Sequence, residues 1–221
     1  MKIIEVDLSE VAVQPYYLSI VIPFLNEEEN ILPLYDELKK VLIKINKPYE
    51  IIFVNDGSND SSVEKIKQLN KSDENVKLLT LSRNFGTQVA ISVGFRYARG
   101  EMTLSMDSDL QHPPEFIPEM LKEIDKGYDI VHAVKLSQEK RGLIKNLMAE
   151  VSYRIIKKIS EVEIDPKASD FRLMNQKAIM AINAFQESER LLRGLSYWMG
   201  LKHSQVYFRA PGRHAGEPKQ T

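Results

Sequence analysis

The chain contains no cysteine in its 221 residues. That excludes a disulfide framework, a thiolate nucleophile and a zinc-thiolate site, and it fits a reducing compartment. Glycine-rich phosphate loops are missing too. Neither Gly-x-Gly-x-x-Gly nor Gly-x-x-x-x-Gly-Lys-Ser/Thr occurs, so neither a dinucleotide fold nor a P-loop is supported. No apolar run is long enough to span a bilayer, and the opening Met-Lys-Ile-Ile-Glu-Val-Asp is too acidic, with too short an apolar run, for a signal peptide. These absences read as a soluble, cytosolic protein. Basic residues are not interleaved with a stacking aromatic platform, which argues against a nucleic-acid partner. What remains is ordinary for a globular chain: 43% hydrophobic and 28% charged residues, enough for one well-cored domain.

The net charge of −1 conceals an asymmetry. Glu101 to Asp129 carries eight acids against Lys122 and Lys126, whereas Arg190 to Thr221 carries six bases against Glu217. An acidic centre followed by a basic tail suggests a metal-binding half and an anion- or membrane-facing half.

Apolar runs and helical periodicities alternate along the chain. Leu18 to Pro23 reads as a buried strand stopped by proline, and Asn26-Glu27-Glu28-Glu29 supplies a cap and acidic first turn for a helix with Ile31, Leu34, Tyr35, Leu38, Val41 and Leu42 inward. Tyr49 to Asn55 is a second strand, followed by a turn at Asp56-Gly57-Ser58 and a short helix on Val63, Ile66 and Leu69. Val76 to Ser82 is a third strand, with Arg83-Asn84-Phe85-Gly86 as its exit loop. The next helix runs to about Ala98 on Val89, Ala90, Val93 and Tyr97. A strand from Met102, a helix on Phe116, Ile117, Met120, Leu121 and Ile124, and a strand from Tyr128 to Ala133 complete the first part. Such alternation predicts an α/β fold with a doubly wound, mainly parallel sheet in a single domain. The domain divides into a first half, residues 18–133, and a second half, residues 134–221.

Each strand ends in a polar cluster: Pro23 to Glu27, Asp56-Gly57-Ser58, Arg83-Asn84, and Asp107 to Gln111. In open α/β sheets ligands bind at the carboxyl ends of the strands, so four such clusters converge on one crevice. Asp107-Ser108-Asp109 follows its strand directly, and Pro113-Pro114 closes the loop and opens a helix. An isolated Asp-x-Asp is more often a cap or a solvated pair. Oxygen ligands on a short, sharply turned loop nevertheless suit Mg²⁺ or Mn²⁺, which in turn suits a diphosphate.

The segments Ile20 to Ile31, Glu50 to Asp60, Leu81 to Gly86 and Met106 to Glu115 together resemble the family 2 glycosyltransferases, and more narrowly their polyprenyl-phosphate branch. The resemblance implies a GT-A type fold, a nucleotide diphosphate sugar donor and a polyprenyl phosphate acceptor at the inner, cytoplasmic face of the membrane. It implies that the Pro23 to Glu27 segment, with Pro23, Leu25 and Glu27, and Asp56 hold the base and ribose. Arg83 borders the base, Asp107 touches the ribose or the metal, and Asp109 is the main metal ligand with Gln111 as a further contact. A carboxylate such as Asp56 accepts from an imino N–H, which uracil and guanine have and adenine and cytosine lack. The motif therefore favours UDP- or GDP-sugars without choosing between them, and the donor is expected to be a UDP-sugar ahead of a GDP-sugar. By the same resemblance residues 18–133 are the nucleotide-sugar-binding half and 134–221 the acceptor-side half.

In the second half, Leu143, Leu147, Val151, Ile155 and Ile159 recur every fourth residue among six lysines and arginines, a basic amphipathic helix. Its apolar stripe is expected to pack on the core, with an anionic membrane surface as the alternative. Ala168 to Met174 resembles the Ser-Asp-Phe-Arg segment of the branch, which puts Asp170 where other inverting enzymes place a general base. A hydroxyl acceptor needs one. A phosphate, with its second pKa near ~6, does not, so Asp170 reads as an orienter of Arg172 or of the sugar. Arg209-Ala-Pro-Gly-Arg213-His-Ala-Gly-Glu217 resembles the Arg-x-x-x-Arg-x-x-Gly-Glu segment at the family's active-site mouth, and Arg172, Arg209 and Arg213 are expected to position the attacking phosphate. Relatives continue into transmembrane helices, whereas this chain stops at Thr221, so a membrane region is expected outside this chain or in a separate partner. Two other readings stand beside this one: a transferase acting on a sugar hydroxyl, and a catalytically silent nucleotide-sugar-binding or membrane-recruitment module. Assembly as a homo-oligomer is left open.

Overall fold

A computed structural model describes residues 16–136, 168–184, 200–209 and 211–212. The expected basic amphipathic helix, the Arg190 to Trp198 stretch and the Arg213 to Glu217 segment lie outside the described residues. The elements run β1 (Tyr16–Phe24), α1 (Glu28–Ile45), β2 (Tyr49–Asn55), α2 (Ser62–Ser72), β3 (Val76–Thr80), α3 (Thr87–Tyr97), β4 (Gly100–Ser105), a 3-10 turn (Pro114–Phe116), α4 (Ile117–Asp125), β5 (Ile130–Lys135), β6 (Ala168–Asn175), α5 (Gln176–Ala184) and β7 (His203–Phe208).

The strands form one sheet of order β3-β2-β1-β4-β6-β5-β7. Every described pairing is parallel except those of β6, which runs antiparallel to both β4 and β5. The mainly parallel, doubly wound expectation therefore holds, with one reversed strand. That reversal carries the start of β6, with Asp170, to the same edge as the carboxyl ends of the other strands. The strand order changes direction between β1 and β4, which is the crevice where open α/β sheets take their ligands.

Two apolar layers cover the sheet. On one face Ile20, Ile22, Phe53 and Leu104 pack against Leu34 and Leu38 of α1, Ile66 of α2 and Met120 of α4. On the other, Val21, Ile52 and Val54 meet Ala90, Ile91 and Phe95 of α3 and Ala178 and Ile182 of α5. Alternate strand residues serve alternate layers, as the period of two requires.

Two local expectations are corrected. Pro23 does not stop β1, which runs through to Phe24 with Pro23 opposite Val54. Val21 faces β4, its carbonyl accepting from Met106 N, and the pairing with β4 ends there. Two residues on, Pro23 would aim its missing N–H at the same side, where no ladder remains to be broken.

The inward face of α3 is Ala90, Ile91, Gly94 and Phe95, not the stripe ending at Tyr97, which is 61% exposed. A Cβ on Gly94 would lie 2.2 Å from Val21 Cγ1 and 3.2 Å from Val54 Cγ2, so the helix backbone rests directly on the two central strands. Gly94→Ala is accordingly expected to destabilise the protein by about 1–3 kcal/mol, although alanine is the better helix former by roughly 1 kcal/mol. Thermal unfolding of the variant checks this, and an unchanged or raised midpoint would contradict it.

The amino ends of the strands are closed by structural ion pairs. Glu50, fully buried, takes Lys77 Nζ at 2.5 Å on one oxygen, and on the other Ser19 Oγ at 2.6 Å and Arg99 N at 2.7 Å. Lys39 bonds both Asp73 and Tyr49. Burial, then the hydrogen bond that Tyr35 donates to Asp73, push the Tyr35 hydroxyl up to about 12, so it stays a donor.

Candidate active site

One side of the crevice is built from three loops that lock one another. Asn26, at φ 52°, accepts from Asn59 N at 2.8 Å through Oδ1, and its own N–H meets Ser58 Oγ at 2.9 Å. Glu28 N donates to Asp60 Oδ2 at 3.1 Å, and Glu28 Oε2 accepts from Ser61 N at 3.0 Å. The start of α1 is thus capped by the second loop rather than by Asn26. Glu27 is buried: its N–H meets Ser62 Oγ at 2.9 Å and its carboxylate takes Asn30 Nδ2 at 2.5 Å. Pro23 is buried in the strand beneath, and Leu25 is half-buried at the mouth.

Asp56 continues β2 and is only 3% exposed. Its two oxygens accept from Phe85 N at 2.8 Å and Gly86 N at 3.0 Å, so the carboxylate fastens the third loop to the end of β2. Gly57, at φ 89°, is demanded there twice over. Its φ is left-handed, and a Cβ would come within 2.8 Å of Asn84 N. Arg83 stands exposed with its guanidinium 4.7 Å from the Phe85 ring centroid.

On the other side of the crevice β4 ends at Ser105, whose hydroxyl donates to the Asp170 carbonyl at 2.6 Å. The chain then turns sharply, with Leu110 at φ 63°, a conformation that costs a branched residue about 1–2 kcal/mol. Asp107 is held by His112. The Asp107 N–H donates to His112 Nδ1 at 2.9 Å, which leaves the ring proton on Nε2, 3.5 Å from Asp107 Oδ2. His112 is itself fixed by stacking on Phe171 at 5.0 Å and 17°, with Phe208 edge-on to both rings. Asp109 is half-buried and accepts from Gln111 N at 3.0 Å.

Asp107 and Asp109 fit a hard divalent cation of the Mg²⁺ type, which takes one or two carboxylates and completes its shell with water and substrate phosphates. Among the described residues no group of three or more acids, histidines or cysteines could hold a metal unaided. The donor set suits a metal carried in with a diphosphate rather than a closed protein cage.

Asp170 is 6% exposed, with Oδ1 2.5 Å from Arg172 NH2 and Oδ2 3.0 Å from Gln88 Nε2. Arg172 is fully buried in the sheet, opposite Ser105 of β4 and His132 of β5. This corrects the expectation that Arg172 positions the attacking phosphate: its guanidinium is enclosed in the sheet, away from the crevice surface, and bonds Asp170. Arg209 is exposed just past β7, at the same edge as Asp107, and Arg213 lies outside the described residues.

The structure therefore brings Pro23, Leu25, Asp56, Asp107, Asp109, Gln111, Asp170 and Arg209 to one edge of the sheet. It adds two residues the sequence reading assigned no role. His112 stands three residues past the Asp-x-Asp, within the Met106 to Glu115 segment, where its spacing from Asp107 was a usable signal. Gln88 gave none, being 82 residues from its partner.

The model of the glycosyl transferase family 2 matches residues 19–182 of the chain. The chain belongs to that family. It is 40% identical over 202 residues to an uncharacterized glycosyltransferase of Synechocystis, covering 91% of this chain and 64% of that protein. A prophage bactoprenol glucosyl transferase homolog of Escherichia coli is 34% identical over 202 residues, covering 91% of this chain and 66% of its own. The chain spans less than two thirds of the length of the Synechocystis relative. Among solved structures, a Pyrobaculum calidifontis mannosyltransferase in complex with GDP-Man and Mn²⁺ superposes with a TM-score of 0.63 at 14% identity, over 90% of this chain and 58% of that one. The fold is the GT-A type expected. No helix among the described residues is long and apolar enough to cross a membrane.

Proposed function

We propose that this chain is the catalytic domain of an inverting, metal-dependent hexosyltransferase, carrying a sugar from a nucleotide diphosphate, UDP ahead of GDP, to a polyprenyl phosphate at the inner membrane face. The observation that carries it is that the Asp107 to Gln111 loop, at the topological switch point between β1 and β4, shares one edge of the sheet with the Asp170–Arg172 pair and exposed Arg209. The acceptor is supported by relatives named bactoprenol glucosyl transferases.

In the reaction an acceptor phosphate oxygen attacks the anomeric carbon from the side opposite the diphosphate. The new C–O bond forms as the old one breaks, and the electron pair leaves on the nucleoside diphosphate. The acceptor is already largely ionised at neutral pH, so no base need remove a proton. Asp107 and Asp109, with Gln111 beside them, would hold a divalent cation, which when bound would supply positive charge opposite the departing diphosphate. Asp170, fixed by Arg172, orients the sugar, while Arg209 and Arg213 draw in the acceptor phosphate. Alignment and electrostatics then account for the rate.

Calorimetric titration with UDP and with GDP, each in Mn²⁺ and in EDTA, tests the donor site. UDP is expected to bind in Mn²⁺ at least about tenfold more tightly than GDP, a difference of ~1.4 kcal/mol, and to lose that binding in EDTA. Binding of neither nucleotide would overturn the assignment.

A further inference from the structure

The contacts described for the two sides of the crevice join into one path. Asp56 holds the backbone of Phe85 and Gly86. Gly86 is the N-cap of α3, its carbonyl accepting from Val89 N and Ala90 N at 3.1 Å each. Two residues on, in the first turn of that helix, Gln88 donates Nε2 to Asp170 Oδ2 at 3.0 Å. The Gln88 Oε1 is buried with no hydrogen-bond partner among the described residues. The amide is therefore held by its donor end, against the carboxylate.

We propose that Gln88 is a positioning residue that couples the Arg83 to Gly86 loop to Asp170, an inference that rests on the transferase function proposed above. Arg172 fixes one carboxylate oxygen from within the sheet. Gln88 fixes the other from the helix that begins at the nucleotide-side loop. A nucleotide seated against that loop sets the first turn of α3, and the first turn sets the plane of the Asp170 carboxylate. Deeper in the helix, Gly94 lies against Val21 and Val54. Movement of the loop is therefore taken up at the first turn rather than by sliding of the whole helix.

The test is steady-state transfer from UDP-glucose to a polyprenyl phosphate in Mn²⁺, for the wild type, Gln88→Leu, Gln88→Glu, Asp170→Asn and the Gln88→Leu/Asp170→Asn double variant. Both Gln88 variants are expected to lower kcat by roughly 10–100-fold with the donor KM within about twofold of the wild type. The double variant should be no slower than Asp170→Asn alone, because Gln88 acts through Asp170. Wild-type kcat in both Gln88 variants, or a loss that multiplies with that of Asp170→Asn as a merely structural role would, overturns the proposal. A second arm needs no substrate: in the free protein the side-chain amide signals of Gln88 must move in Asp170→Asn, and unmoved signals refute the contact. If the wild type transfers nothing from any donor, it is the proposed function that fails, and the amide signals still decide whether Gln88 and Asp170 are joined.

Discussion

Asp109→Ala should lose transfer by at least on the order of 10²–10³-fold, the scale seen when one charge-stabilising contact is removed from a reacting centre. The protein should remain folded. Asp109 is half-buried on a loop outside the two apolar layers, and substitution there is expected to change stability by no more than about 0.5–1 kcal/mol. The same variant should no longer show UDP binding that depends on Mn²⁺, because one of the two loop carboxylates is gone and the described residues form no group of three or more acids, histidines or cysteines that could hold a metal without it. Asp170→Asn offers the contrast. With a phosphate acceptor no proton has to be removed, so that variant should be slowed yet active, whereas a sugar hydroxyl acceptor would leave it nearly dead. Transfer assays and nucleotide titrations on the two variants give the answer together. Full activity of Asp109→Ala in Mn²⁺ would remove Asp109 from the site.

Much of this arrangement is legible in the sequence because its signals are local. Apolar runs ending in Asp56-Gly57-Ser58 or Asp107-Ser108-Asp109 declare both a strand and the edge at which it stops, and the order of strands and helices then places those edges together. The misreadings have equally definite causes. Pro23 reads as a stop until the sheet shows that its neighbour has already parted at Val21. The face of α3 is misassigned because its innermost position is Gly94, which no hydrophobicity pattern marks, while Tyr97 looks apolar and points outward. Strand β6 carries Asp170, Arg172 and Asn175, a composition that does not announce a strand in the middle of a sheet. That Arg172 is enclosed rather than exposed follows from pairing on both sides, with β4 and β5, which is long-range information.

A histidine buried beside Arg172 also sets a pH limit on the fold. His132 lies opposite it on β5, 1% exposed, and stacks on His203 of β7 at 5.2 Å and 13°, with Nε2 3.0 Å from His203 Nδ1. Burial, then the neighbouring Arg172 charge and then His203, hold the His132 imidazole down from 6.5 to about 3. The folded protein thus keeps this ring neutral where an unfolded chain would protonate it. Below pH 6.5 the unfolded state binds the extra proton, so stability falls as the pH drops from 6.5 toward 3 and is fully present only above that window. The slope approaches ~1.4 kcal/mol per pH unit, which amounts to about 2 kcal/mol between pH 7 and pH 5 from this one group. Carboxylates held below their usual range by their partners, such as Asp73 and Asp129, contribute their losses at lower pH. Urea unfolding at pH 7 and pH 5 should therefore show a loss in the wild type that is smaller by about that amount in His132→Phe, which keeps a stacking ring and removes the titrating group. Equal losses in the two proteins would mean that another group sets the acid limit, and that the ring beside Arg172 is protonated at less cost than its enclosure implies.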